Sequence, residues 1–182
     1  MLLKQLLRST LVLSALSGCA VMPSGAVAPP SPTGVKWASD TTVAWTELLR
    51  GLVGRWKATT PQNRTILVSY RVVSNGSALV ETFTSASGKE TLSVYHRDGA
   101  GLMLTHYCAQ GNQARLRAIE ATRERIVFSY LDATNVGGDQ DVMTRLAVVL
   151  RADGFDQETV YRAPNGEQET ATLRFFTADA PK

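Results

Sequence analysis

Hydrophobic positions recur along residues 40–54 with the spacing of a helix. The apolar side chains lie at i, i+3, i+4 and i+7, which places them on one helical face: Trp45, Leu48, Leu49 and Leu52. Asp40 or Thr41 can cap the start of such a helix, and Gly51 or Gly54 can end it. The pattern predicts one short amphipathic helix.

After Gly54 the pattern changes to the alternation that is typical of strands. About ten β-rich runs follow one another between Arg55 and Thr177, joined mostly by short polar links. Four links contain an Asn-Gly or Asp-Gly pair, which favours the positive φ angles of tight hairpins. None is long enough for a helical crossover, so the runs predict an antiparallel meander.

A meander of this length must bury one face and protect its edge strands, and closing into a barrel does both. A sandwich is the alternative, but its strands are more often joined by longer links. We therefore expect an all-β fold at residues 38–178. We expect it to be a single domain, a roughly ten-stranded antiparallel up-and-down barrel preceded by one short helix.

Two segments precede this domain. Residues 1–18 join a basic start to an apolar run that ends in small residues, as in a secretory signal peptide. The run falls short of the roughly 20 residues that span a bilayer. Residues 19–37 are rich in Pro, Gly and Ser and lack a core-forming period, so we expect an extended tether.

The boundary between these segments, Leu16-Ser17-Gly18-Cys19, resembles the bacterial lipobox. The resemblance implies that the signal is cut before Cys19 and that this cysteine is lipidated, with several acyl chains that hold the protein firmly at a membrane. Ala20 follows where an aspartate would favour the inner membrane. The expected location is therefore the bacterial cell envelope, at the outer membrane and facing the periplasm.

The net charge and the cysteine content restrict the expected partners and the expected thiol chemistry. The formal net charge is +3, but Lys4 and Arg8 belong to the signal segment, so the remaining chain is close to neutral. It has no dense Lys/Arg run interleaved with aromatics, and nucleic acid is not an expected partner. Lipidation of Cys19 leaves Cys108 as the single free thiol, which must be buried, paired between molecules or reactive.

The motif Gly54-Arg55-Trp56, between the helix and the first strand, resembles the calycin superfamily, which includes lipocalins, fatty-acid-binding proteins and nitrobindin-like barrels. In lipocalins this Trp closes one end of the barrel beneath an Arg of the last strand. The resemblance implies structural roles for Trp56 and Arg174, stacked at the closed end. The haem-binding histidine of nitrobindin has no counterpart, and no cofactor is expected.

A second resemblance covers about residues 49–176. The segment VYHRDGAGLMLTHYCAQGNQARLRA, residues 94–118, is similar to a family of bacterial proteins of unknown function with an LTHYC-GNQ stretch. Ala114 stands where we would expect proline in that family. The resemblance implies no activity.

Strand alternation places the histidine and thiol of this segment on one face. His106 and Cys108 are in phase with Leu102 and Leu104, so we expect both to be structural residues on the inward face. A neighbouring carbonyl would satisfy the histidine. Whether His96 shares this face depends on the number of residues in the hairpin loop, which the sequence leaves open.

Six residues are candidates to contact a ligand: His106, Tyr107, Asn112, Gln113, Arg115 and Arg117. Asn112 and Gln113 would line a barrel mouth, although a turn is the simpler interpretation. The two arginines would hold an anionic head group if they faced inward, although arginine is more commonly exposed.

Catalytic and metal-binding motifs are not found in the sequence. The pair His106-x-Cys108 has no supporting carboxylate cluster, so no metal is expected. We expect a lipid-anchored protein that binds a small apolar or amphipathic ligand inside the barrel. The alternative is a non-enzymatic envelope interaction or structural module with a filled interior.

Overall fold

The computed structural model describes residues 33–178. The predicted signal peptide, Cys19 and most of the predicted tether lie outside the described residues. One helix precedes ten strands: α1 (Thr42–Leu52), β1 (Gly54–Thr59), β2 (Thr65–Val73), β3 (Ala78–Thr84), β4 (Glu90–Asp98), β5 (Gly101–Tyr107), β6 (Gln113–Ala121), β7 (Arg125–Thr134), β8 (Val142–Arg151), β9 (Gly154–Arg162) and β10 (Gln168–Thr177).

The strands form a closed antiparallel barrel in which each strand pairs with the next and β10 pairs with β1. The predicted fold class, a roughly ten-stranded antiparallel barrel after one short helix, is confirmed. The closing seam is short, because β1 and β10 share only the pairs Trp56 with Thr177 and Lys57 with Phe176. In the part of the chain that the structure describes, no helix is long and apolar enough to span a membrane.

The two ends of the barrel differ. Helix α1 lies across one end, the closed end, where Leu48 and Leu52 are fully buried in the core. Thr41, just before the helix, donates its backbone N–H and its hydroxyl to the carbonyl of Ala100, in the link between β4 and β5. The links after β1, β3, β5, β7 and β9 lie at the opposite end, the open end.

An aromatic cluster fills the half of the barrel next to the helix. The ring of Phe155 stacks on Phe175 at 4.9 Å between centroids and meets the edges of Trp56 at 5.3 Å and Tyr70 at 5.8 Å. Phe155 and Phe175 are completely buried. Such offset and edge-to-face pairs add about 0.5–1.5 kcal/mol each beyond apolar burial, so this cluster anchors the closed half.

Gly154, in the predicted turn Asp153-Gly154, allows the wall to close around this cluster. Its φ is +152°, and a Cβ at this position would lie 2.0 Å from the carbonyl oxygen of Phe175. Only glycine can let β9 start so close to β10.

The predicted stacking of Arg174 on Trp56 is wrong. Phe175 points into the barrel, so strand alternation turns Arg174 to the outer face. There its guanidinium lies 5.1 Å from the ring centre of Phe176 and pairs with Asp153 and Asp156. Trp56 is half-buried on the inner side and donates its Nε1–H to the carbonyl of Leu52 at 2.6 Å.

The register of the β4–β5 hairpin settles the question about the two histidines. Asp98 pairs with Gly101, which leaves a two-residue loop, an even number. His96 therefore pairs with Met103 on the outer face, whereas His106 pairs with Ser93 on the inner face. The two histidines lie on opposite sides of the barrel wall.

Candidate functional site

A buried carboxylate lies at the centre of the barrel. Glu81 of β3 is 2% exposed and accepts hydrogen bonds from the hydroxyls of Tyr70 at 2.8 Å, Tyr95 at 2.6 Å and Ser93 at 3.1 Å. A carboxylate is costly to bury unless its oxygens are hydrogen-bonded. These three donors supply that compensation.

The hydrogen bonds continue from this carboxylate towards the open end. The Oγ of Ser93 lies 3.1 Å from Nδ1 of His106, and Nε2 of His106 lies 3.2 Å from the hydroxyl of Tyr161. Ser93 donates its only proton to Glu81, so it must accept from Nδ1–H of His106. Nε2 then accepts from Tyr161. The neutral imidazole with its proton on Nδ1 therefore satisfies both hydrogen bonds.

Burial sets the protonation of the groups in this network. It raises the pKa of Glu81, an effect that the three hydroxyl donors partly offset. Burial lowers the pKa of His106 to about 4 and raises that of Tyr161. The pKa of Tyr95 is also raised, by burial first and then by the nearby Glu81. At neutral pH His106 is therefore uncharged and the two phenols keep their protons.

Tyr161 connects the network to a recess of about 400 Å³ at the open end, which we call the mouth recess. Its lining residues come from β9, β10 and three links: Lys89, Cys108, Ala109, Gln110, Asp141, Thr159, Tyr161, Glu169 and Ala171. Thr159 pairs with Ala171, and Tyr161 with Glu169, all in phase with the buried Phe155 and Phe175. The recess is therefore formed by the inner face of the barrel where it opens to solvent.

Asn112 fixes the rim of the mouth recess. It is completely buried, and its Nδ2 donates to Oε1 of Gln140 at 3.2 Å and to the carbonyl of Asp141 at 3.1 Å. The backbone N–H of Cys108 donates to the carbonyl of Asn112, and Nε2 of Gln140 donates to the carbonyl of Gln110 at 2.6 Å. These bonds join the link after β5 to the link after β7.

Of the six predicted ligand contacts, the structure places only His106 on the inner face of a strand. Tyr107 points outward and is 44% exposed. Gln113 bonds outside the mouth recess: its Nε2 donates to the carbonyl of Gly111, and its Oε1 accepts from Thr134 and Asn135.

Arg115 and Arg117 also lie on the outer face. Arg115 pairs with Asp132, and Arg117 pairs with Asp98 at 3.3 Å. The reason is that Leu116, between them, is fully buried, so alternation turns both arginines outward. The interpretation that they hold an anionic head group inside the barrel is wrong.

Cys108 differs from its prediction in part. It follows the last residue of β5, so strand alternation no longer sets its direction. The thiol is half-buried and lines the mouth recess beside Tyr161, rather than lying deep in the core. His106 takes two hydroxyl partners instead of the predicted carbonyl.

Sequence reasoning missed Glu81, Ser93 and Tyr161. One signal was present, since Glu81 stands between Leu79 and Phe83 at the spacing of an inward row. A carboxylate in such a row points to a buried polar network. Within residues 33–178, no three His, Cys, Asp or Glu side chains are grouped as metal ligands.

Comparison with known proteins identified no matching family model and no matching curated protein. The closed antiparallel barrel is consistent with a calycin-like fold. Membership of the bacterial family with the LTHYC-GNQ stretch stays a prediction.

Proposed function

We propose that this protein binds a small amphipathic ligand in the mouth recess of a barrel that is lipid-anchored to the cell envelope. The observation that carries the proposal is a recess of about 400 Å³ whose floor is the inner face of β9 and β10. Ligand pockets for small molecules commonly measure about 300–1,000 Å³.

The lining of the recess matches an amphipathic ligand. Ala171, the methyl group of Thr159 and the ring of Tyr161 offer apolar surface in the floor, and Lys89, Asp141 and Glu169 provide charged groups. Two carboxylates and one ammonium favour a cationic or zwitterionic polar group on the ligand.

The depth of binding is limited by the protein's own side chains. Below Tyr161 lie His106, Ser93 and Glu81, all buried and hydrogen-bonded to one another. Below these lies the aromatic cluster around Phe155. The ligand therefore rests on the network and does not replace it.

The same filling favours a second candidate, an envelope interaction or structural module with no ligand. In that case the network would serve only to specify the packing of the interior, as satisfied buried polar groups do. The two candidates differ in whether the mouth recess is occupied in the purified protein.

The ligand test compares two tryptophan substitutions in neighbouring residues of β10, made in the full-length chain with Cys19→Ala to remove the expected anchor. Ala171 faces the recess opposite Thr159, whereas Thr172 pairs with Glu158 on the outer face. Native mass spectrometry should detect a co-purifying small molecule in the parent and in Thr172→Trp, but not in Ala171→Trp. No bound molecule in any of them would favour the filled module.

The anchor has a separate test. Cys19→Ala should abolish incorporation of labelled palmitate, because the thiol is the lipid acceptor in the lipobox interpretation. Equal incorporation in the parent and in the variant would refute it.

A further inference from the structure

The closed end of the barrel carries a second recess, which is separate from the mouth recess. It measures about 380 Å³ and lies between the C-terminal half of α1 and the links after β6 and β8. Its lining is rich in arginine: Glu47, Arg50, Gly51, Arg123, Glu124, Leu150, Arg151 and Ala152. We call it the basic recess.

Buried and half-buried carboxylates hold these arginines in place. Glu47 is 7% exposed and accepts from both Arg50 and Arg123. Asp156 holds Arg151 through Nε and one terminal nitrogen. The arginine side chains themselves are 78%, 67% and 51% exposed, in the order Arg50, Arg123 and Arg151. Each guanidinium has five N–H groups, so donors remain for a ligand from solvent.

The outer face of α1 adds apolar surface beside these charges. Val43 and Val53, near the two ends of the helix, are each 45% exposed, and Arg50 lies between them along the chain. A helix that combines exposed apolar residues with arginine is suited to the boundary between lipid head groups and acyl chains.

The chain also enters the domain at this end. The backbone N–H of Ala38 donates to the carbonyl of Ala118, and that of Thr41 donates to the carbonyl of Ala100, both near the closed end. The segment that precedes residue 33, with the expected lipid at Cys19, is therefore attached to the end that carries the basic recess.

We propose that the closed end docks on a membrane surface, with Arg50, Arg123 and Arg151 binding the phosphates of anionic lipids while the mouth recess faces away. Guanidinium groups bind phosphate oxygens with paired N–H donors, which favours arginine over lysine at such a site. The lipid anchor belongs to the proposed function. The docking surface is tested without it.

The test measures sedimentation with vesicles of the expected mature chain, residues 19–182 with Cys19→Ala, so that neither the lipid nor the basic and apolar segment 1–18 contributes to binding. One set contains phosphatidylglycerol mixed with phosphatidylcholine, and the other contains phosphatidylcholine alone. The chain should bind the anionic vesicles and release them as salt is raised, because each basic residue near an anionic surface contributes to the attraction. Equal binding to both vesicle types, or to neither, would overturn the proposal.

Two double variants locate the surface. Arg50→Gln with Arg123→Gln should weaken vesicle binding by at least about tenfold. Arg64→Gln with Arg115→Gln removes the same charge near the open end and should leave binding within about twofold, because Arg64 lies in the link before β2 and Arg115 near the start of β6, at the opposite end from the basic recess. Equal weakening by both pairs would mean that only net charge matters and would overturn the assignment.

A third variant keeps every arginine. Val43→Ser with Val53→Ser removes the exposed apolar side chains beside the arginines and leaves the ion pairs of Glu47 in place. It therefore tests the docking surface even if the arginine variant does not fold. Weaker vesicle binding with an unchanged thermal midpoint supports the docking surface, and unchanged binding overturns the role of the helix. Free phosphate is the competing source: saturable binding of inorganic phosphate that Arg50→Gln abolishes, with no vesicle binding, would overturn the membrane assignment.

Discussion

The closed half and the open half of this barrel are built from the same ten strands but solve the problem of filling the interior differently. In the closed half, Leu52 of α1 and the rings of Phe155 and Phe175 are buried completely in the core. In the open half, the interior is filled by polar side chains, among them Glu81 and His106, which are linked by hydrogen bonds through Ser93. The contrast teaches that strand alternation decides which side chains point inward. The chemistry of those side chains then decides whether that part of the interior can bind a ligand.

The difference follows from what each half must exclude. Water is kept from the closed half by α1, so apolar contact alone is favourable there. The open half ends in the mouth recess, whose lining includes Tyr161 and the charged residues Lys89 and Glu169. The polar groups buried beneath this opening are satisfied by hydrogen bonds to one another, in a network that runs from Glu81 to Tyr161.

The largest effect is expected in the closed half. Phe155→Ala should lower the free energy of unfolding by about 3–5 kcal/mol, because it removes a ring that contacts three other aromatic rings. Phe176→Ala, in the paired strand but 45% exposed on the outer face, should cost about 0.5 kcal/mol. Urea denaturation of both variants checks this, and comparable losses would contradict the inward assignment of Phe155.

The second prediction concerns the centre of the network. Glu81→Ala leaves the hydroxyls of Tyr70, Tyr95 and Ser93 without their acceptor, at about 1–3 kcal/mol for each group, but it also removes the cost of burying a carboxylate. We expect a net loss of about 2–3 kcal/mol in the free energy of unfolding. Glu81→Gln keeps one acceptor oxygen and should recover part of the loss. Equal stability of the alanine variant and the parent in urea would show that the network does not hold the open half together.

The third prediction is a pH dependence carried by His106. Burial lowers the folded pKa of this histidine from 6.5 to about 4, so between these values the unfolded chain binds the proton more readily. Its contribution to stability is present above pH 6.5 and is lost as the pH falls. From pH 7 to pH 5 the parent should lose about 2 kcal/mol more than His106→Gln.

The comparison with His106→Gln removes effects that both proteins share. Glu81 has a raised pKa and works in the opposite direction as the pH falls, but it is present in both. Parallel stability curves for the two proteins across this pH range would show that His106 is not buried in its neutral form.

The smallest effect is expected at the mouth recess. Cys108 is half-buried there, so a small thiol reagent should label it in the native protein, more slowly than in the denatured chain. Ala171→Trp should slow native labelling several fold, because the indole occupies the recess, whereas Thr172→Trp should not. Identical labelling rates in the two tryptophan variants would show that the thiol of Cys108 does not lie in the mouth recess.

Much of the fold could be predicted from the sequence because it rests on local signals. The spacing of Leu48 and Leu52 indicated the helix, and the alternation from Arg55 onward indicated ten strands. Turn pairs such as Asp98-Gly99 indicated antiparallel hairpins. Each of these signals depends on a few neighbouring residues.

The candidate site was harder to predict from the sequence, because its contacts join distant strands. His106 of β5 meets Tyr161 of β9 across the interior, a pairing that depends on how the barrel closes. Arg174 was misplaced because the resemblance to lipocalins implied an inward position, whereas the neighbouring Phe175 fills the interior and strand alternation turns Arg174 outward. Alternation gives the relative phase of side chains in a strand but leaves their partners undetermined.

The central claim, that a ligand enters the open half and leaves the closed half unchanged, is tested most directly by amide chemical shifts. Dodecyltrimethylammonium, a cationic amphiphile kept below its micelle concentration, would be titrated into the expected mature chain, residues 19–182 with Cys19→Ala. We expect saturable shifts of the amide signals of Cys108, Thr159, Tyr161 and Ala171, and unchanged signals for Leu52, Leu102 and Phe155. Shifts centred on those three closed-half residues, or no saturable shift at the mouth recess, would contradict it.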